Sequence, residues 1–141
     1  MHVMNTKPFN LAVRAMIIDD KGRCLLVRRS THNKSYVGAW EWPGGKAEPG
    51  EAFDVAVRRE VAEEVGLQVE LSGVAGAFHI EMAHMRLAVL CMVAKVCGGE
   101  LRLSEEHDEY TWAPLAELST WNLTDGFRDF AEAYAKNYKK G

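Results

Sequence analysis

The chain reads as an α+β fold on three observations: strand-like apolar runs separated by turn residues, one short acidic helix stopped by glycine, and an amphipathic helix near the end. Leu11–Ile18 and Cys24–Arg28 flank Asp19-Asp20-Lys21-Gly22, a pattern that predicts a β-hairpin. A polar loop from Ser30 to Ser35 follows, and an extended piece around Trp40 to Trp42 feeds Pro43-Gly44-Gly45. Pro49 and Gly50 close a loop, Glu51 opens a helix where a carboxylate suits the positive dipole end, and Gly66 offers a left-handed stop.

Beyond the helix, Gln68 to His79 alternates loosely and Arg86 to Val96 is strongly apolar. Cys97-Gly98-Gly99-Glu100 then predicts a turn into Leu101-Arg102-Leu103, adding antiparallel sheet. A strand near Glu109 to Ala113 leads to Pro114, and Leu115 to Leu118 forms one helical turn. The last helix runs from Asp125 to Tyr138, with Thr124 as cap and Phe127, Phe130, Ala131 and Tyr134 as its apolar stripe.

Length and charge limit the function. At 141 residues and 48% hydrophobic composition, residues 1–141 can build one core without disulfides. A net charge of −3 argues against a broad basic surface, so no stable nucleic-acid complex is expected and a small anionic partner must be drawn by local cations. Cys24, Cys91 and Cys97 form no close metal-type pair, and their odd number points to a reducing, cytoplasmic setting. Cys24 and Cys91 lie in apolar runs and read as core packing. No apolar run has transmembrane length and Met1 to Asn10 lacks a signal segment, so no membrane partner is expected.

The informative stretch is Gly45 to Leu67. On a helix, Glu60, Glu63 and Glu64 fall on an arc that overlaps that of Phe53, Val57 and Val61, which turns the acids toward the protein. Carboxylates crowded at i, i+3 and i+4 repel and resist burial unless a hard divalent cation such as Mg²⁺ or Mn²⁺ takes their oxygens. A solvated acidic face is the bland alternative. The order Gly45, five residues, Glu51, seven residues, Arg59-Glu60-Val61, one residue, Glu63-Glu64, one residue, Gly66-Leu67 resembles the Nudix box at every defining position. The preceding Trp40-Glu41-Trp42-Pro43-Gly44-Gly45-Lys46 resembles the MutT-like branch.

That resemblance implies an α/β/α sandwich around a mixed sheet and divalent-metal-dependent hydrolysis of a nucleoside diphosphate linked to another group. In the MutT-like branch the substrate is a (deoxy)nucleoside triphosphate or an oxidised derivative, cleaved to nucleoside monophosphate and pyrophosphate. ADP-ribose, nucleotide sugars and dinucleoside polyphosphates are the alternatives, isoprenoid diphosphate isomerisation a remoter one, and a nucleotide-sensing module without turnover the non-enzymatic one. By the same analogy Glu60 and Glu64 are metal ligands, Glu63 is a ligand or catalytic orienter, and the Gly45 carbonyl completes the shell. Arg59 orients the glutamates, against the alternative of a surface salt bridge. Glu51 divides between helix scaffold and metal shell. Nudix enzymes often pair, which makes a homodimer the assembly to test.

Outside the box, Ser104-Glu105-Glu106-His107-Asp108-Glu109 precedes a strand carrying Trp112, and MutT-like members place a catalytic glutamate in such a loop. Glu106 matches it, with Glu105 and Glu109 as rivals and His107 as hydrogen-bonding support. Arg28, Arg29 and Lys46 are candidates for substrate phosphates, strand alternation turning only one arginine inward. Asn122 is a candidate for the base edge. Trp40, Trp42, Phe78 and Trp121 read as core rather than stacking platforms, and His79, Glu81 and His84 as loop residues rather than a second metal site.

Overall fold

The computed structural model describes residues 7–140; the first six residues, part of the segment read above as lacking a signal, lie outside them. Its elements are β1 (Phe9–Ile17), β2 (Arg23–Arg29), β3 (Trp40–Glu41), β4 (Gly44–Lys46), α1 (Phe53–Val65), β5 (Leu67–Glu81), β6 (Arg86–Gly99), β7 (His107–Pro114), a 3₁₀ turn (Leu115–Thr120) and α2 (Phe127–Lys140). One sheet has the order β4-β1-β6-β5 and is mixed, with β1 parallel to β6; the other, β3-β2-β7, is antiparallel.

The expected hairpin between the first two strands is therefore corrected. Ile18 and Cys24 form one antiparallel bridge at the turn, and beyond it β1 and β2 part into different sheets. Burial supplies the reason. Val13, Ala15 and Ile17 of β1 face one core cluster with Leu25 and Val27 of β2, whereas Ala12, Met16, Cys24 and Leu26 face a second cluster. Strands buried on both faces sit inside a layered structure and need partners on both edges.

The first cluster is closed by Ala56, Val57, Val61 and Val65 of α1, the second by Trp42, Phe127 and Ala131, with Phe130 and Tyr134 packed against it. The two helices thus cover opposite faces of the strands, the α/β/α arrangement. Cys24 and Cys91 are buried core residues, and Trp42 packs on Phe127 at 5.0 Å with the rings tilted by 36°. Trp40 meets Trp121 edge-on at 5.1 Å.

Four local expectations change. Phe53 opens α1 but is 45% exposed, so the apolar face begins at Ala56 and Val57. Glu51 precedes the helix, whose first turn has no side-chain cap. Leu101–Leu103 is not a strand: it runs past the end of α1, where the Arg102 and Ser104 amides donate to the Val65 and Glu64 carbonyls at 2.9 Å. This satisfies carbonyls that a helix end leaves open. Finally, Thr124 receives the Phe127 N–H on its backbone carbonyl, while its buried hydroxyl has no hydrogen-bond partner.

Candidate metal and nucleotide site

Two short connections set the site. After β3, Gly44 has φ 150° and packs against the Val13 carbonyl, so only glycine fits there. A Cβ at Gly45 would come within 2.7 Å of the Glu60 carboxylate. This backbone passes directly over the acidic face of α1. Gly66, at φ 72°, ends that helix one residue before β5 and so fixes which turn of α1 faces the glycines.

The glutamates occupy graded environments. Glu63 is exposed, Glu60 half-buried, and Glu64 buried with its Oε1 accepting the Gly44 N–H at 3.2 Å. Burial raises the Glu64 carboxyl from its ordinary 4.5 to about 9; the Arg14 charge and the Gly44 N–H pull down, and Glu106 and Glu60 push up again. Among the described residues no lysine or arginine forms an ion pair with it, and His107 Nδ1 stands 3.9 Å away.

Arg59 ties the box together. Its Nε and Nη2 donate to the two oxygens of Glu51 at 2.7 and 2.9 Å, while Nη1 reaches Glu60 at 3.1 Å and Glu63 at 3.3 Å. This bidentate fork holds Glu51 ionised, its carboxyl depressed to about 2 chiefly by the Arg59 hydrogen bonds. Glu51 also accepts the Glu48 N–H at 3.0 Å, closing the turn before α1. Both readings of Glu51 meet here, because the residue that braces the loop also anchors the arginine.

Across from α1, the segment before β7 brings in Glu105 and Glu106. The loop after β2 holds it: the Ser30 N–H and Asn33 Nδ2 donate to the Glu106 carbonyl at 2.9 and 2.7 Å, and the Ser30 hydroxyl donates to the Glu105 carbonyl. Glu60, Glu63, Glu64, Glu105 and Glu106, with His32 and Ser104, line a cleft of about 290 Å³. Glu109 is absent from that wall, being paired with Arg28 at 2.9 Å. Arg28 is held by Asp108 as well, so Arg29 is the inward arginine of the pair.

A second cavity of about 230 Å³ is lined by Arg14, Arg29, Glu41 and Lys46 at one side and by Ile80, Met82, Leu87 and Phe127 at another, with Tyr36, Thr124 and Asp125 at its polar rim. Asn122 instead lines a recess at the start of α2, and its carbonyl accepts the Trp40 N–H. His84 sits in the β5–β6 connection, and Glu81 is engaged by Lys7 and Arg86.

Between the cavities Arg29 and His107, both singled out in the sequence, meet in a network whose other members, Glu41 and Arg14, the sequence reading missed. Glu41 is buried and paired with Arg29 at 3.1 Å and Arg14 at 3.5 Å, and it hydrogen-bonds His107 Nε2 at 3.0 Å. Although its burial alone would raise the carboxyl, Arg14, the His107 hydrogen bond and Arg29 outweigh it and hold it down to about 2. A signal existed: Arg14 is the one charge inside the apolar run Leu11–Ile18, and a charge on a doubly buried strand needs a partner.

Chemically, the cleft offers several carboxylates, one of them buried and short of positive charge, facing an open groove. Glu64, Glu106 and His107 each present a ligand atom within 4.8 Å of the others. Oxygen donors of this kind suit a divalent cation. Among the described residues no helix is long and apolar enough to cross a membrane.

Similarity to known proteins identifies the family. The NUDIX domain family matches residues 8–135. The chain is 31% identical over 110 residues to a MutT-like protein of Streptomyces ambofaciens, covering 78% of this chain and 67% of that one. It is 28% identical over 125 residues to the nucleoside triphosphatase NudI of Klebsiella pneumoniae, covering 79% and 87%. The crystal structure of a MutT protein from Methanosarcina mazei superposes with a TM-score of 0.85 at 34% identity, over 94% of this chain and 97% of that one. With the acidic helix, the glycine strand above it and the opposing loop carboxylates in place, the chain belongs to the NUDIX family and is a pyrophosphohydrolase.

Proposed function

We propose that this protein hydrolyses a nucleoside triphosphate, ordinary or oxidised, to the monophosphate and pyrophosphate, with Mg²⁺ or Mn²⁺ held by Glu60, Glu64, Glu63 and the Gly45 carbonyl. The observation that carries the reading is Glu64, a buried carboxyl with little positive charge of its own beside an open acidic cleft. The similarity to relatives named nucleoside triphosphatase supports the substrate class. A divalent ion bound there would neutralise phosphate oxygens and lower the pKa of an attacking water.

The chain's own residues then divide the work. Arg59, braced on Glu51, keeps Glu60 and Glu63 aimed at the cleft. Glu106 accepts the proton of the attacking water as the new O–P bond forms and the phosphoanhydride P–O bond breaks, so pyrophosphate leaves. Lys46 and Arg29 line the neighbouring cavity and meet the phosphates, while its apolar wall of Ile80, Leu87 and Phe127 accommodates the base. Arg28 and Asn122 are left out of this assignment because neither lines the two cavities. The solvation of Glu105 and its contact with His32 favour Glu106 over Glu105 as the base.

The test is product-resolved hydrolysis of 8-oxo-dGTP, ordinary dNTPs and NTPs, ADP-ribose and diadenosine polyphosphates, with Mg²⁺, Mn²⁺ or EDTA. Metal-dependent pyrophosphate release from one triphosphate is the expected result. Cleavage restricted to ADP-ribose or a dinucleotide would overturn the substrate, and no turnover would favour a binding module.

A further inference from the structure

His107 is buried more deeply than its place beside a loop acid suggests. Its side chain is 1% exposed, and its Nδ1 has no hydrogen-bond partner. Its Nε2 lies 3.0 Å from Glu41 Oε2. Glu41 is an ion pair with both Arg14 and Arg29, and a carboxylate can only accept, so the shared proton belongs to Nε2. In the neutral ring the Nδ1 lone pair then faces Glu64, at 3.9 Å from its Oε1, and Glu106 completes a group whose ligand atoms lie within 4.8 Å of one another.

Carboxylate–imidazole pairing of this kind is how proteins fix the tautomer and direction of a metal-binding histidine. Two atoms bonded to one ion at roughly 2.1 Å stand roughly 3 to 4 Å apart, so Glu64 and His107 already have such a spacing. Glu106 has an exposed side chain and can close the remaining gap. Without an ion, the buried nitrogen is an unmet acceptor, which costs free energy.

We propose that His107 is itself a ligand, so that Glu64, His107 and one oxygen of Glu106 form a mixed oxygen and nitrogen site for a first-row transition ion beside Glu60 and Glu63, the second Glu106 oxygen being left to take the water proton. This rests on the reading of the cleft as a metal site. An imidazole favours transition ions, whereas Mg²⁺ demands hard oxygen ligands and gains little from nitrogen. The site therefore binds Mn²⁺ more tightly than Mg²⁺, and the preference depends on His107.

The experiment is electron spin echo envelope modulation of Mn²⁺ bound to the full chain, unlabelled and with ¹⁵N-histidine, together with Mn²⁺ and Mg²⁺ titrations. A nitrogen coupling that changes on labelling, persists in His32→Gln and vanishes in His107→Gln is the expected result. His107→Gln should weaken Mn²⁺ by about 10- to 100-fold and Mg²⁺ much less. Labelled wild-type protein and labelled His32→Gln together answer the question even if His107→Gln fails to fold. Tight Mn²⁺ binding with no histidine coupling, or a coupling that disappears in His32→Gln, overturns the ligand role and leaves the metal reading intact. Absence of Mn²⁺ binding overturns both.

Discussion

Glu41 and Glu64 are buried glutamates on either side of the same histidine, and they have opposite fates. Glu41, on β3, is paired with Arg14, Arg29 and His107 and is depressed to about 2. Glu64, on α1, has a backbone N–H and a distant arginine, and burial raises it to about 9. The protein completes the charge of the first and leaves that of the second open. A charge matched internally is architecture, whereas one left unmatched at a cleft wall is a place for an external cation.

The sharpest way to break this contrast is to neutralise each acid. Glu64→Gln should cut metal-dependent turnover by at least about 10²-fold, since losing several kcal/mol of charge stabilisation corresponds to that factor. It should at the same time raise the melting temperature of the metal-free protein. A fall in both would place Glu64 with Glu41 as a structural residue. Glu41→Gln should destabilise the fold by about 3 kcal/mol, because it strands Arg14 in the interior. Chemical denaturation reads that loss, and an unchanged midpoint would show that the arginines find other partners.

Stability against pH sharpens the same comparison. Above pH 4.5 the unfolded chain has released the proton that folded Glu64 keeps up to about 9. The metal-free fold therefore loses stability as pH rises through that window. Glu41 has the opposite sign: its contribution is present above 4.5 and is lost as pH falls toward 2. Melts in EDTA between pH 5 and 9 should decline, and saturating Mn²⁺ should remove most of the decline. A flat profile in EDTA would mean that Glu64 is ionised without metal.

The smallest effect belongs to Arg59. It is a quarter exposed, so Arg59→Lys should change stability by less than about 1 kcal/mol. A lysine cannot reproduce the fork that spans Glu51, Glu60 and Glu63, and metal affinity should weaken by roughly 10-fold. Calorimetric titration with Mn²⁺ tests this, and an unchanged affinity would reduce Arg59 to a surface ion pair.

The legible parts of the molecule were local. Gly66 as a helix stop, the amphipathic stripe of α2, the buried Cys24 and Cys91, and the acidic turn of α1 each follow from short-range conformational rules or side-chain periodicity. The first two strands were legible as strands but not as partners, because an apolar run with a good turn looks the same whether its edges pair together or diverge. Leu101–Leu103 was misread for a related reason: its amides serve a helix end that lies far earlier in the chain.

The reaction class was readable through a resemblance, because the spacing of Gly45, Glu51, Arg59, Glu60, Glu63 and Glu64 that matches the Nudix box is set within one loop and one helix. Packing, by contrast, sets which acid is short of charge, which arginine turns inward, and that Glu41 and His107 stand behind Glu64. Those properties depend on burial and on distances between β1, β3, α1 and β7. Such distances arise when distant segments pack together, and no local periodicity encodes them.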